Sequence, residues 1–323
     1  MKNRFPVLLI ALAGLVVSAL LPKPTCAQAP VFLARWLIIY SPRFVALDGR
    51  GNVYLTSQFI TGIREFSSSG TLLAQWGTTG SDPGLFQAPT GVAVDASGRI
   101  CVADGPTNCR VQVFASPGSF LTMWGSCGSG PGQFSAPTGV AVDASGRIYV
   151  ADLNNHRVQV FSSEGTFIRQ WGSYGGEPGQ FYGPNGIAVA PSGDVYVADT
   201  YNHRVQVFTS DGTLLTQFGS LGSGPGRFNQ VFGIAVDLIG NVYVADRYNY
   251  RVQVLNSSGT YITEFGSYGR GQGQFRFPWG IAVDSQTGYI YVADPYNDNI
   301  QVFTSLPTRA RGVSWGRIKA LYR

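Results

Sequence analysis

The sequence predicts an all-β fold, a six-bladed β-propeller with four-stranded blades, and three observations carry that prediction. A unit recurs six times, anchored at Phe44-Val45-Ala46-Leu47, Gly91-Val92-Ala93-Val94, Gly139-Val140-Ala141-Val142, Gly186-Ile187-Ala188-Val189, Gly233-Ile234-Ala235-Val236 and Gly280-Ile281-Ala282-Val283, in steps of 47, 48, 47, 47 and 47 residues. Each unit breaks into four short β-branched and aromatic runs bounded by Gly, Ser, Asn or Asp, which is the strand-and-hairpin pattern. No window holds a 3.6-residue apolar stripe long enough for the helix of an α-solenoid. A period in the forties suits four-stranded blades, and radial repetition leaves only short, protected sheet edges.

The elements follow in chain order. Lys2 and Arg4 precede an apolar run over residues 7–21, and Pro22, Lys23 and Pro24 follow it. That run is too short for a membrane span, so residues 1–27 read as a secretory signal peptide. Cleavage is expected after Ala27, with Thr25 in the third position back, because a cut after Ala29 would place Pro30 beside it. A lipid-anchored Cys26 would want an apolar residue where Lys23 stands. The expected destination is secreted, periplasmic or at the cell envelope. Residues 31–36 then match the fourth strands of later units, such as 71–76 and 166–171. Unit six lacks a clear fourth run, so the N-terminal strand is expected to complete the last blade; residues 312–316 are the competing occupant.

Unit four shows the pattern in full. A first run at 186–189 and a turn at Pro191-Ser192-Gly193 lead into a second run ending at Asp199. The corner Thr200-Tyr201-Asn202-His203 introduces Arg204-Val205-Gln206-Val207-Phe208, and Asp211-Gly212 turns the chain into the fourth run, ending at Phe218. The propeller is expected over residues 28–303, with 304–323 a flexible basic tail.

These stretches carry a family resemblance. Pro184-Asn185-Gly186-Ile187-Ala188-Val189, Val195-Tyr196-Val197-Ala198-Asp199 and Asn202-His203-Arg204-Val205-Gln206-Val207-Phe208 resemble the NHL repeat, as do the inter-blade loops 128–134 and 175–181. The resemblance spans about residues 31–303 and is strong in units two to five. It weakens in unit one, where Ser57 and Gly62 replace Asp and Arg, and in unit six, where Asn299 replaces Arg. It implies the six-bladed fold without implying one activity. NHL propellers include RNA-binding domains, a zinc- and calcium-using lyase, kinase sensor domains and secreted proteins. Fold alone therefore leaves function open.

Charge narrows the field. Lys2, Arg4 and Lys23 leave with the signal, and Arg309, Arg311, Arg317, Lys319 and Arg323 sit in the tail, so the propeller carries 15 basic and 18 acidic residues, a net of −3. A nucleic-acid binder shows a basic face that neutralises phosphates. No nucleic-acid partner is expected.

Residues repeated in every blade cannot single out one site. Arg110, Arg157, Arg204 and Arg251 begin third strands and are placed to pair with Asp104, Asp152, Asp199 and Asp246; Asp294 is the sixth unit's equivalent. Gln112, Gln159, Gln206, Gln253 and Gln301 are expected to satisfy backbone groups between blades. Functional information should lie where blades differ. The loops from second to third strands and from each fourth strand to the next blade share one face. There His156, Tyr201, His203, Tyr248, Tyr250 and Tyr296 form the expected ligand-binding set, joined by Tyr174, Tyr182, Phe232, Tyr268 and Trp279. Tyr, Trp, Asn and Arg are the composition of binding hot spots. The competing reading is that the corner Asn residues cap their own turns.

Catalytic signatures are sparse. His156 and His203 are the two histidines, fewer than the three protein ligands of a catalytic zinc. There is no Gly-x-Ser-x-Gly elbow and no His-Glu-x-x-His run. No catalytic or metal-ligating residue is assigned, and a calcium in the central channel is the cofactor left open. Cys109 sits in a corner carrying one extra residue, and Cys127 follows the fourth strand at the same blade edge, so the two are a candidate disulfide; Cys101 reads as a small core residue. The expected function is an exported, monomeric binding or scaffold module that recognises a protein or glycan. The alternative is a metal-assisted lyase or lactone hydrolase acting on a small molecule.

Overall fold

The structure, a computed structural model, describes residues 29–38, 41–57 and 62–304. Residues 1–27, expected as a signal peptide, and residues 305–323 of the expected tail lie outside the described residues. Six four-stranded antiparallel sheets are arranged around a common axis. The innermost strands are Pro42–Leu47, Pro89–Val94, Pro137–Val142, Pro184–Val189, Val231–Val236 and Ile281–Val283. Each contacts the innermost strand of the next blade, and the first contacts the sixth, so the ring closes.

Closure is made by the N-terminal strand. Val31–Leu37 pairs antiparallel with Asn299–Thr304, which is followed inward by Tyr289–Asp294 and Ile281–Val283. Trp36 then lies 6.2 Å from the Phe66 ring of blade one and 5.5 Å from Tyr291 of blade six, bridging the seam between the two ends of the chain. Among the described residues no helix is long and apolar enough to cross a membrane.

The core lies between blades rather than within one. Second and third strands such as Val195–Asp199 and Arg204–Phe208 are buried at every position, because each sheet is covered on both faces. The outermost strand Leu214–Phe218 instead alternates between half-buried and exposed, the sign of one solvated face. Tyr149, Val158 and Val160 of blade three pack against Ile187, Val195 and Val197 of blade four, and the other clusters repeat this arrangement. Tyr54, Tyr149, Tyr196, Tyr243 and Tyr291 recur on second strands; Cys101, buried, takes that place in blade two. Gly165 shows how close the blades come: at φ +86° a Cβ there would lie 2.4 Å from the Trp124 ring of the preceding blade.

Candidate functional site

The loop face is held from below by a polar tie repeated in blades two to five. In blade three the Asp152 carboxylate, fully buried, accepts from Arg157 Nε at 2.9 Å, from Asn155 Nδ2 at 2.8 Å and from the Ser135 amide at 2.7 Å. The same guanidinium donates to the Ser129, Gly130 and Gln133 carbonyls of the loop entering the blade. Gln159 grips that loop from both sides: its Nε2 donates to the Gln133 carbonyl and its Oε1 accepts from the Gly132 amide. The planar guanidinium meets this bundle of acceptors with several fixed donors. Arg110, Arg204 and Arg251 pair likewise with Asp104, Asp199 and Asp246. Blade six, with Asn299 in place of Arg, leaves Asp294 to the Arg276 and Phe277 amides and Asn297; burial pushes this carboxyl above its ordinary range.

The corner asparagines serve this tie rather than their own turns. Asn155, Asn202, Asn249 and Asn297 each donate to the blade's Asp and to a glycine carbonyl of the incoming loop. The corners are single 3₁₀ turns, Leu153–Asn155, Thr200–Asn202 and Arg247–Asn249. Each ends on a left-handed residue, His156, His203 or Tyr250, which turns its side chain out of the helical path.

On this rigid base the aromatic side chains form two clusters. Between blades three and four, Tyr182 lies 4.9 Å from Tyr201, 5.3 Å from Tyr174 and 6.0 Å from His156. Between blades five and six, Phe277 is the hub: it lies 4.7 Å from Tyr296, 5.3 Å from Tyr248 and 5.6 Å from Tyr250, with Tyr268 at 4.8 Å from Tyr250. Tyr174, Tyr182, Tyr201, Tyr248, Tyr268 and Tyr296 are exposed. Five of the six expected residues thus fall into two separate groups. His203 belongs to neither.

Both histidines are occupied locally. His156 Nδ1 accepts from the Gly183 amide at 3.1 Å and His203 Nδ1 from the Gln230 amide at 3.0 Å, which leaves the ring proton on Nε2. Burial holds both imidazoles below their ordinary pKa, against the weaker upward pull of nearby aspartates. Among the described residues no three His, Cys, Asp or Glu side chains converge on one point. Among the described residues there is thus no three-ligand side-chain group of the kind a catalytic zinc takes.

At the loop-face end of each innermost strand, at its second position or the equivalent, stands one residue per blade: Arg43, Thr90, Thr138, Asn185, Phe232 and Trp279, of which Thr90, Thr138, Asn185 and Phe232 are buried. The ring is lopsided. Thr90 and Thr138 hydroxyls donate to carbonyls of the next blade. On the other side Trp279 lies 4.5 Å from Phe232, and Arg247 stacks 4.5 Å from Phe232 and 4.6 Å from Trp279. Arg43 covers Trp279 from 5.2 Å. Phe277, Arg43 and Arg247 stand at the site but are not in the set expected from the sequence. Aligning the six units on this one position exposes Arg43, Phe232 and Trp279 as the odd members. Cys109 and Cys127 are joined by a disulfide that fastens the blade-two corner to the loop leaving that blade.

The opposite face differs in kind. Its turns are Asx-stabilised: Asp95 Oδ1 accepts from the Ser97 and Arg99 amides, and Asp143 from Ser145 and Arg147. A cleft of about 670 Å³ opens there between blades one and two, beside Asp48, Tyr54, Glu65 and Ser116. Glu65 stands where blades two to six carry Val113, Val160, Val207, Val254 and Val302, and it is held by Asn52 and the Tyr54 hydroxyl.

Comparison with known proteins places this architecture. The NHL repeat family matches residues 86–114, 134–161, 181–208 and 275–303, so blades two, three, four and six carry NHL repeats. Blade six matches despite Asn299, whereas blade five, expected among the strong units, lies outside the four matched segments. No curated protein matches the sequence. Among solved structures, the chain is similar to a protein of unknown function from Bacteroides thetaiotaomicron at 20% identity and TM-score 0.64, over 85% of this chain and 72% of that one. It is similar to a gluconolactonase from Xanthomonas campestris at 14% identity and TM-score 0.63, over 86% and 95%. A catalytically inactive virginiamycin B lyase from Staphylococcus aureus, with quinupristin, is similar at 15% identity and TM-score 0.58, over 82% and 80%. Identities this low speak for the fold alone.

Proposed function

We propose that this NHL-repeat propeller is an exported binding module that takes a protein or glycan ligand on its loop face. The observation that carries the reading is the pair of exposed tyrosine clusters, different from blade to blade, mounted on loops pinned by buried ion pairs and amide ties. A rigid platform loses little entropy on binding, and tyrosine offers a wide amphipathic surface with few rotatable bonds. Six identical corners would bind nothing in particular; two unlike clusters, one beside Arg43, Arg247 and Trp279, can select one partner. The signal segment directs the module to an extracellular or envelope ligand.

The test is capture from the host envelope fraction and a glycan array, run with the wild-type protein and the variant Tyr201→Ala, Tyr248→Ala, Tyr296→Ala. These exposed side chains can be truncated without opening the core. Loss of a ligand retained by the wild type, with an unchanged melting temperature, supports the reading. Retention by the tyrosine variant, with loss on changing Arg99 and Arg147 to Ala on the opposite face, overturns it. The alternative, a lyase or lactone hydrolase, is tested by metal content after purification and by turnover of lactone substrates.

A further inference from the structure

We propose that the place on the loop face where blades five, six and one meet is a binding site for an oxyanion, a carboxylate or a sulfate or phosphate ester carried by a sugar or a similar small polar group, gripped by Arg43 and Arg247 beside Trp279. The proposal rests on the loop-face reading above and names the chemistry of the ligand.

The argument begins with how this chain treats its inward arginines. Arg110, Arg157, Arg204 and Arg251 are each matched by a buried aspartate and several carbonyls. Arg43 and Arg247 are not. Their Nε atoms are buried without a hydrogen-bond partner, and neither guanidinium lies in an ion pair among the described residues. All 18 Asp and Glu side chains of the sequence lie within the described residues, so no remaining carboxylate of a side chain can supply the missing partner. Aromatic contact satisfies the faces of the two guanidiniums, since Phe232, Tyr248, Phe277 and Trp279 surround Arg247 and Trp279 lies under Arg43. Among the described residues no hydrogen bond engages their in-plane N–H edges, and such edges bind oxyanions bidentately.

Two half-buried cations share one aromatic wall. Burial, and then the Arg247 guanidinium, hold Arg43 below the usual arginine range. Partly desolvated like charges without counter-charge are unfavourable in the free protein, and an anion placed between them relieves that cost. Asn185, on the innermost strand of blade four and 4% exposed, leaves its side-chain oxygen without a partner on the polar half of the same ring.

The site is tested by titrating the full mature protein with sodium glucuronate, glucose, sulfate and phosphate, using calorimetry and the shift in melting temperature. The comparison proteins are Arg43→Gln, Arg247→Gln, the double variant, and Arg43→Lys as a variant that keeps the charge. Glucuronate is expected to bind the wild type and glucose not, and the double variant is expected to bind about tenfold or more weakly. In the absence of ligand, Arg43→Gln is expected to melt no lower than the wild type, because it removes one of two repelling charges. Binding of sulfate or phosphate with equal loss in the double variant, but no binding of glucuronate, assigns the oxyanion to an ester and keeps the site. If no oxyanion binds the wild type, or if binding is equal in the double variant, the proposal falls. The tyrosine variant of the previous section separates the two readings: a ligand lost there but indifferent to Arg43 and Arg247 leaves the loop face standing and removes the oxyanion site.

Discussion

Arg157→Ala is the sharpest test of the claim that the repeated arginines hold the fold rather than bind a ligand. The side chain is 6% exposed and its Asp152 partner is fully buried. Truncation strips Asp152 of its ion pair and removes donors from the Ser129, Gly130 and Gln133 carbonyls and from Gln170 Oε1. Breaking a buried pair by removing one partner costs about 3–5 kcal/mol, because the surviving charge stays desolvated. For a chain of this size each kcal/mol moves the midpoint by roughly 2–4 °C, so a fall on the order of 10 °C is expected. Arg169→Ala is the control: its guanidinium makes one exposed contact with the Asp211 carbonyl, and its loss should change stability by no more than about 0.5 kcal/mol. Thermal unfolding followed by circular dichroism measures both. If Arg157→Ala melts within about two degrees of the wild type, or keeps its midpoint while losing ligand, the repeated arginines belong to a site and the reasoning is wrong.

Deleting residues 31–37 removes the outer strand of blade six and the Trp36 seam, so the truncated mature protein should melt well below the full one; melting within a degree or two refutes closure. Reducing the Cys109–Cys127 bond, which spans 18 residues, should cost about 3 kcal/mol by the chain-entropy argument; mass spectrometry of the protein isolated from its host showing Cys101, Cys109 and Cys127 all as free thiols ends that idea. His156 and His203 are held below their ordinary pKa of 6.5 by burial, so the unfolded chain binds protons more readily than the folded one in the range just under that value. Their contribution to stability is whole above about pH 6.5 and is lost as the pH falls below it. The drop in melting temperature from about pH 7.5 to 5.5 should therefore be smaller in the double variant His156→Gln, His203→Gln, and equal drops would refute it.

The sequence by itself determined the architecture, because a propeller is one local unit written six times. The anchors, the four runs per unit and the spare run at 31–36 are all properties of neighbouring residues, and each appears in the structure as a strand of the expected kind. The repeated Arg–Asp pairs were legible for the same reason: Asp152 and Arg157 face each other across one hairpin. The candidate site was legible only as a set of side chains on a face. Tyrosine count and corner position placed Tyr201, Tyr248 and Tyr296 there, but their division into two clusters depends on Tyr182 and Phe277, which arrive from other loops. Arg43, Arg247 and Trp279 meet because radial packing brings the first and sixth blades side by side and leans the blade-five corner over blade six. Contacts among residues so far apart in the chain are set by ring closure; aligning the repeats marks Arg43 and Trp279 as departures from their counterparts but does not say that they meet.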